Sequence, residues 1–146
     1  MPEEVSIGCA KDPTVKVIVL AGGKGKRMLS DTPKVLHTVG GKPILSHVIE
    51  KATLISDAPP IIIYGEDLVD EINKTNFGPL EWVHQDEPLG TGHAVAKALP
   101  YINDSDIVLI MYADIPLISI ETLKDMISRQ GKSQKLTILT ADIKVP

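Results

Sequence analysis

The sequence predicts an α/β domain of three layers, α/β/α, with a mostly parallel sheet covered by helices on both faces. Three observations predict it. Short β-branched runs alternate with amphipathic segments along the chain, the strand-like runs are apolar enough to be buried, and glycine or proline marks most changes of pattern. At 146 residues the chain suffices for one domain with one substantial core.

Residues 15–21 form a β-branched run closed by Gly22 and Gly23, the pattern of a buried strand feeding a turn. Past a basic stretch, Pro43 takes the favoured first position of a helix carrying Ile44, Leu45, Val48 and Ile49 on one face. Residues 61–64, Ile-Ile-Ile-Tyr, make a second strand stopped by Gly65, and residues 67–74 a short helix with Leu68, Val69 and Ile72 inward. A third strand is expected at 81–84, and a helix at 91–99 that starts after Gly90 and stops before Pro100. Residues 107–112 are a fourth, strongly apolar strand. Ser119 caps the helix after it, with Glu121 near the positive helix end. Residues 136–141 are expected to be a fifth strand. The acidic, polar residues 1–14 read as a flexible lead, leaving 15–146 as the domain.

Composition excludes several classes. With 43% hydrophobic and 23% charged residues the chain reads as globular, and aromatics are scarce, so its core must be aliphatic. A formal charge of −4 gives no basic face for a nucleic-acid partner. The single cysteine, Cys9, cannot form an internal disulfide, which fits a reducing compartment. The N-terminal residues lack a signal-peptide pattern, and the longest apolar runs, 17–21 and 107–113, are far too short to span a bilayer. The expectation is a cytoplasmic protein without a membrane partner.

In open α/β sheets, ligands bind at the carboxyl ends of the strands. The chemically interesting residues fall at such ends. After the first strand come Leu20, Ala21, Gly22 and Gly23, then Lys24, Lys26, Arg27, Lys34 and Lys42 against one acid, Asp31. Glycines let backbone N–H groups approach phosphate oxygens, and the clustered cations suit a polyanion such as a triphosphate. The alternative is a glycine turn with solvated lysines. The spacing is not a Walker A loop, and Met28 stands where the dinucleotide fingerprint needs its third glycine.

Gln85 leaves the third strand into a loop with Gly90, Thr91 and Gly92. A glutamine amide both donates and accepts, matching the O4/N3–H edge of uracil or an equivalent base edge. Thr91 is either a helix cap or a site residue, and His93 reads as a helix residue. The histidines lack metal-ligand spacing. Asp114 ends the fourth strand after Tyr112 and Ala113. A carboxylate there either caps a turn before Pro116 or begins a Mg²⁺–nucleotide site, which needs only one or two protein carboxylates. Glu66-Asp67 and Asp104/Asp106 read as solvated loop charges.

Together these strings resemble the uridylyltransferase domain of the bacterial bifunctional N-acetylglucosamine-1-phosphate uridylyltransferase/glucosamine-1-phosphate acetyltransferase family. Residues 20–28 (LAGGKGKRM) are similar to the family's L-A-A-G-K-G-T-R-M, and residues 33–37 match P-K-V-L-H. Residues 89–94 match L-G-T-G-H-A with Gln85 at the right offset, and residues 112–117 resemble Y-G-D-V/I-P-L. The first motif is common among sugar nucleotidyltransferases, whereas the second and third are more specific.

The resemblance implies a Rossmann-like nucleotidyltransferase fold, truncated at its C-terminal end. By position it implies that Leu20, Ala21, Gly22, Gly23, Gln85, Gly90 and Thr91 hold the UTP base and sugar. Arg27 and Lys34 would meet the phosphates as catalytic residues, Tyr112, Ala113 and Asp114 would line the nucleotide site, and Asp114 would ligate Mg²⁺. The implied reaction joins UTP and N-acetylglucosamine 1-phosphate into UDP-N-acetylglucosamine and pyrophosphate, a cell-wall precursor step.

Three departures stand out. Gly22 replaces an alanine, Lys26 a threonine, and Ala113 a glycine, whose added methyl group is expected to crowd the nucleotide. The family's domain continues past this chain's length with sugar-binding residues and a second metal-ligating asparagine, followed by a trimerising β-helix. The expectation is therefore weak UTP·Mg²⁺ binding with slow or no turnover, and an oligomer is not predicted without the β-helix. Two alternatives stay open: a nucleotidyltransferase for another sugar phosphate or base, and a non-catalytic nucleotide-binding or interaction module.

Overall fold

The structure is a computed structural model that describes residues 13–23, 32–74, 76–133 and 135–142. Its main sheet contains β1 (Val15–Leu20), β4 (Ile61–Tyr64), β5 (Glu81–His84) and β6 (Ile107–Tyr112). A second, two-stranded sheet pairs β2 (Thr38–Val39) with β3 (Lys42–Pro43). The helices are α1 (Ile44–Ile55), α2 (Val69–Lys74), α3 (Thr91–Lys97) and α4 (Ile120–Ser133). The main sheet runs β5-β4-β1-β6 and every pairing in it is parallel, with Ile18 opposite Ile61 on one side and Ile110 on the other.

The strand period of two divides the core. Val17, Val19 and Ala21 of β1 and its exit turn face Leu45, Val48 and Ala52 of α1 and Leu123 of α4. Ile18 and Leu20, on the opposite face, meet Ala94 and Ala98 from the α3 side. Three layers result, with β1 enclosed between two neighbours. Because all four strands run the same way, their carboxyl ends share one edge, and that edge collects the loops discussed below.

Local chemistry explains the element ends. Gly40 and Gly41, at φ of 60° and 79°, make the two-residue turn between β2 and β3, the left-handed pair that suits such a hairpin. The Ser119 hydroxyl accepts the Thr122 N–H at 3.1 Å and caps α4 as expected. The Glu121 carboxyl is held below its ordinary range, first by its own backbone N–H and then by Ser119. Pro43 ends β3 and precedes α1, one residue earlier than its expected place inside the helix. The expected 67–74 helix begins instead as a 3-10 turn, Glu66–Leu68, that places Leu68 fully in the core before α2.

Two expectations are corrected. Residues 136–141 are not a strand: they pair with no sheet edge, and Leu136 and Ile138 remain 86% and 70% exposed. An apolar run becomes a strand only where a neighbour takes its N–H and C=O groups. The sheet is also not covered throughout. Helix α3 lies over β1 and β4, leaving Val108, Ile110 and Tyr112 of β6 exposed on that side. No helix among the described residues is long and apolar enough to cross a membrane.

Candidate active site

Backbone hydrogen bonds continue one residue beyond the strands and fix where each loop leaves the sheet. The Ala21 N–H donates to Ile63 O at 2.8 Å, Gln85 N–H to Tyr64 O at 2.8 Å, and Ala113 N–H to Leu20 O at 3.0 Å. Between these loops lies a cavity of about 410 Å³, within the range of roughly 300–1,000 Å³ usual for small-molecule sites. Its walls include Leu20, Ala21, Gly22 and Gly23 after β1, Gln85, Gly90 and Thr91 between β5 and α3, and Tyr112 and Asp114 at the end of β6. Lys34 joins them from a 3-10 turn, Lys34–Leu36, anchored by the buried Val35. Segments far apart in sequence thus converge. Arg27, with Lys24, Lys26 and Asp31, lies outside the described residues, as do Cys9 and most of the 1–14 lead.

Gly22 serves close approach rather than unusual backbone torsion. A β-carbon there would stand 3.3 Å from the Gly65 amide nitrogen and 3.5 Å from Gln85 Oε1, so the turn after β1 packs against the ends of β4 and β5. Gly90 is the opposite case. Its φ of 106° belongs to the region that favours glycine, and it occupies the position before α3. No side chain caps that helix. Thr91 is its first helical residue, not its cap, and Thr91 faces the cavity.

Asp114 does not act as a turn cap; its carboxylate meets the Lys34 ammonium at 2.8 Å, with both side chains partly exposed. Such a pair contributes little stability on its own, and it leaves both groups accessible to a ligand. Ala113 points the other way. Strand alternation puts it between Tyr112 and Asp114 but inside the core, fully buried beside Val19 and Leu45. Its methyl group therefore does not narrow the cavity, contrary to the expectation from the glycine it replaces.

By sequence pattern Glu66 and Asp67 read as solvated loop charges. Glu66 and Asp67 follow β4 and border the cavity, as does Asp86. The signal for them was available, since β4 ends at the same sheet edge as the other strands. Lys97 of α3 binds Asp86 at 2.6 Å and holds its carboxyl below the ordinary range, tying α3 to the loop after β5. Asp114 is the one carboxylate of the set expected to hold a metal. No group of three or more His, Cys, Asp or Glu side chains suited to a metal occurs among the described residues. A single carboxylate still fits a cation whose remaining ligands are phosphate oxygens and water.

The loop after Asp114 is held from α1. Lys51 Nζ donates to Pro116 O at 2.5 Å and to Ile118 O at 2.8 Å. Lys51→Met keeps the aliphatic stem and removes both bonds, and it is expected to cost about 1–2 kcal/mol, the scale of a charged hydrogen-bond donor. A shift of the urea midpoint at unchanged slope measures it.

The fold and the cavity at its strand ends define a nucleotide-binding α/β domain of the nucleotidyltransferase type. The chain belongs to the MobA-like NTP transferase domain family, whose model matches residues 17–144. A bifunctional protein GlmU from Legionella pneumophila (strain Lens) is 45% identical over 136 residues, covering 90% of this chain and 30% of the relative. The bifunctional protein GlmU of Coxiella burnetii (strain CbuG_Q212) is 42% identical over 132 residues, covering 90% and 29%. The chain therefore spans about 30% of the length of these curated relatives. Among solved structures, Rv0371c of Mycobacterium tuberculosis H37Rv superposes with a TM-score of 0.69 at 20% identity, covering 82% of this chain and 61% of that one. A CMP:2-keto-3-deoxy-manno-octonic acid synthetase complexed with CTP gives 0.65 at 20% identity, with coverages of 84% and 49%. The resemblance read from the motifs and the expected fold both hold.

Proposed function

We propose that residues 15–146 are the nucleotide-binding part of a uridylyltransferase that joins UTP and N-acetylglucosamine 1-phosphate. The products would be UDP-N-acetylglucosamine, a cell-wall precursor, and pyrophosphate. The observation that carries this reading is the convergence on one cavity of Gln85, Gly90, Thr91, the turn of residues 20–23 and the Lys34–Asp114 pair. Relatives above 40% identity that are named bifunctional protein GlmU support it.

In the proposed reaction a phosphate oxygen of the sugar phosphate attacks the α-phosphorus of UTP. A new P–O bond forms there, the bond from Pα to the bridging oxygen breaks, and pyrophosphate departs with that electron pair. The attacking oxygen is already anionic, so no protein nucleophile or base is required, and positioning and charge neutralisation carry the catalysis. Lys34 supplies a mobile positive charge beside the phosphates, and Arg27 a second. Leu20, Ala21 and Gly23 present backbone to the nucleotide, Gln85 reads the base edge, and Tyr112 forms part of the wall. Asp114 would hold Mg²⁺, which supplies charge neutralisation at the phosphates when bound.

We further propose that the chain binds UTP·Mg²⁺ in this cavity. Calorimetric titration with UTP, CTP, GTP and dTTP in Mg²⁺ tests both statements. Preferential binding of UTP is the expected result. No binding of UTP in Mg²⁺ contradicts the second statement, and a preference for another base contradicts the first.

A further inference from the structure

We propose that His93 is a positioning residue that locks the Gln85 amide in one orientation, so that only its carbonyl oxygen is offered to the base. The inference rests on the uridylyl reading above and deepens it, by assigning the selection between bases to a residue outside the cavity wall. Gln85 is one of two buried polar residues found among the described positions. Its Nε2 lies 3.3 Å from Gly90 O and 3.1 Å from His93 Nδ1.

The orientation follows from donor and acceptor chemistry. A backbone carbonyl only accepts, so the amide atom facing Gly90 O must be the nitrogen; the reversed amide would set two oxygens against each other. The second Nε2 hydrogen then goes to His93 Nδ1, which accepts it only in a neutral ring whose proton sits on Nε2. Gly90 can present its carbonyl there because it holds a φ of 106°. Both amide hydrogens are thereby committed to protein acceptors. Oε1 remains beside Gly22, 3.5 Å from where a β-carbon would stand, and both residues line the cavity.

A fixed acceptor at that wall selects the base. Uracil and thymine present N3–H, a donor, to such an oxygen, whereas cytosine presents the lone pair of N3. Removing His93 leaves Gly90 O as the single restraint on the amide and frees one of its hydrogens, so the side chain can offer a donor beside its oxygen.

The test measures UTP and CTP dissociation constants in Mg²⁺ for the wild type, His93→Leu and His93→Asn. The wild type is expected to prefer UTP. His93→Leu should lose roughly five-fold in UTP affinity with little change for CTP, the scale of one neutral hydrogen bond. His93→Asn, whose Oδ1 restores an acceptor near the place of Nδ1, should keep most of the preference. A wild-type preference that survives intact in His93→Leu overturns the lock and leaves the uridylyl reading standing. A wild type without that preference overturns both. Nitrogen NMR of the wild-type ring gives a second readout that needs no variant: an unprotonated Nδ1 on His93 is expected, and a protonated Nδ1 contradicts the proposal.

Discussion

Replacing Asp114 with alanine is expected to abolish the Mg²⁺ dependence of UTP binding. In the wild type, Asp114 has two roles that pull in opposite directions. With metal present its carboxylate would hold the cation that screens the phosphates; without metal it is one more negative charge facing them, and it pairs with the Lys34 ammonium at 2.8 Å. UTP affinity in Mg²⁺ should therefore fall at least roughly ten-fold in Asp114→Ala, since even indirect disturbance of a metal ligand costs that much. In EDTA the same variant should bind UTP as well as the wild type or somewhat better, because a repulsive charge is gone and Lys34 is released. Calorimetry with and without metal reads both effects. A Mg²⁺ dependence that survives the substitution contradicts the assignment of Asp114 as the metal ligand.

The largest expected loss of stability comes from Ile62→Ala. Ile62 is fully buried in the middle of β4, within the cluster that joins the sheet to α1. Removing its side chain leaves a cavity in a close-packed layer, at a cost of about 2–5 kcal/mol, a large fraction of the roughly 5–15 kcal/mol that stabilises a domain. Ile110→Ala is the matched control. Ile110 sits in an equally apolar strand but is 44% exposed, because α3 does not reach over β6. Its truncation should cost well under half as much. Urea unfolding of both variants decides the matter, and equal losses would show that the face of β6 is covered in solution.

The contrast between these two isoleucines shows what was legible in the sequence. Strands β1, β4, β5 and β6 and helices α1, α3 and α4 could be read from hydrophobic period and from the residues that punctuate it. Coverage of each strand face could not, because residues 61–64 and 107–112 look alike in composition while their neighbours in space differ. Residues 136–141 illustrate the same limit: β-branched character marks them as able to form a strand, but pairing depends on an edge elsewhere. The β2–β3 hairpin escapes a reading by hydrophobic period although Gly40-Gly41 is a strong turn signal, since strands of two residues carry no period.

The candidate site was legible to a greater degree, for a topological reason. A parallel sheet brings all strand ends to one edge, so residues named only for following a strand are gathered by the fold. Lys34 belongs to no strand end and was singled out by charge and by the P-K-V-L-H resemblance; the structure sets it against Asp114. Ala113 departs from its expected place because side-chain direction alternates, and its methyl group joins the core. Glu66 and Asp67 read as solvated because acidic residues in a loop usually mean solvent, yet the end of β4 sets them at the cavity.

The central claim is that UTP·Mg²⁺ occupies the cavity at the strand ends, and backbone chemical-shift mapping on isotopically labelled protein tests it most directly. Titration with UTP·Mg²⁺ should move the amides of residues 20–23, Lys34, Gln85, Gly90, Thr91 and Asp114 together, along one saturation curve. Saturable shifts centred elsewhere, or no shifts at millimolar UTP, would contradict it.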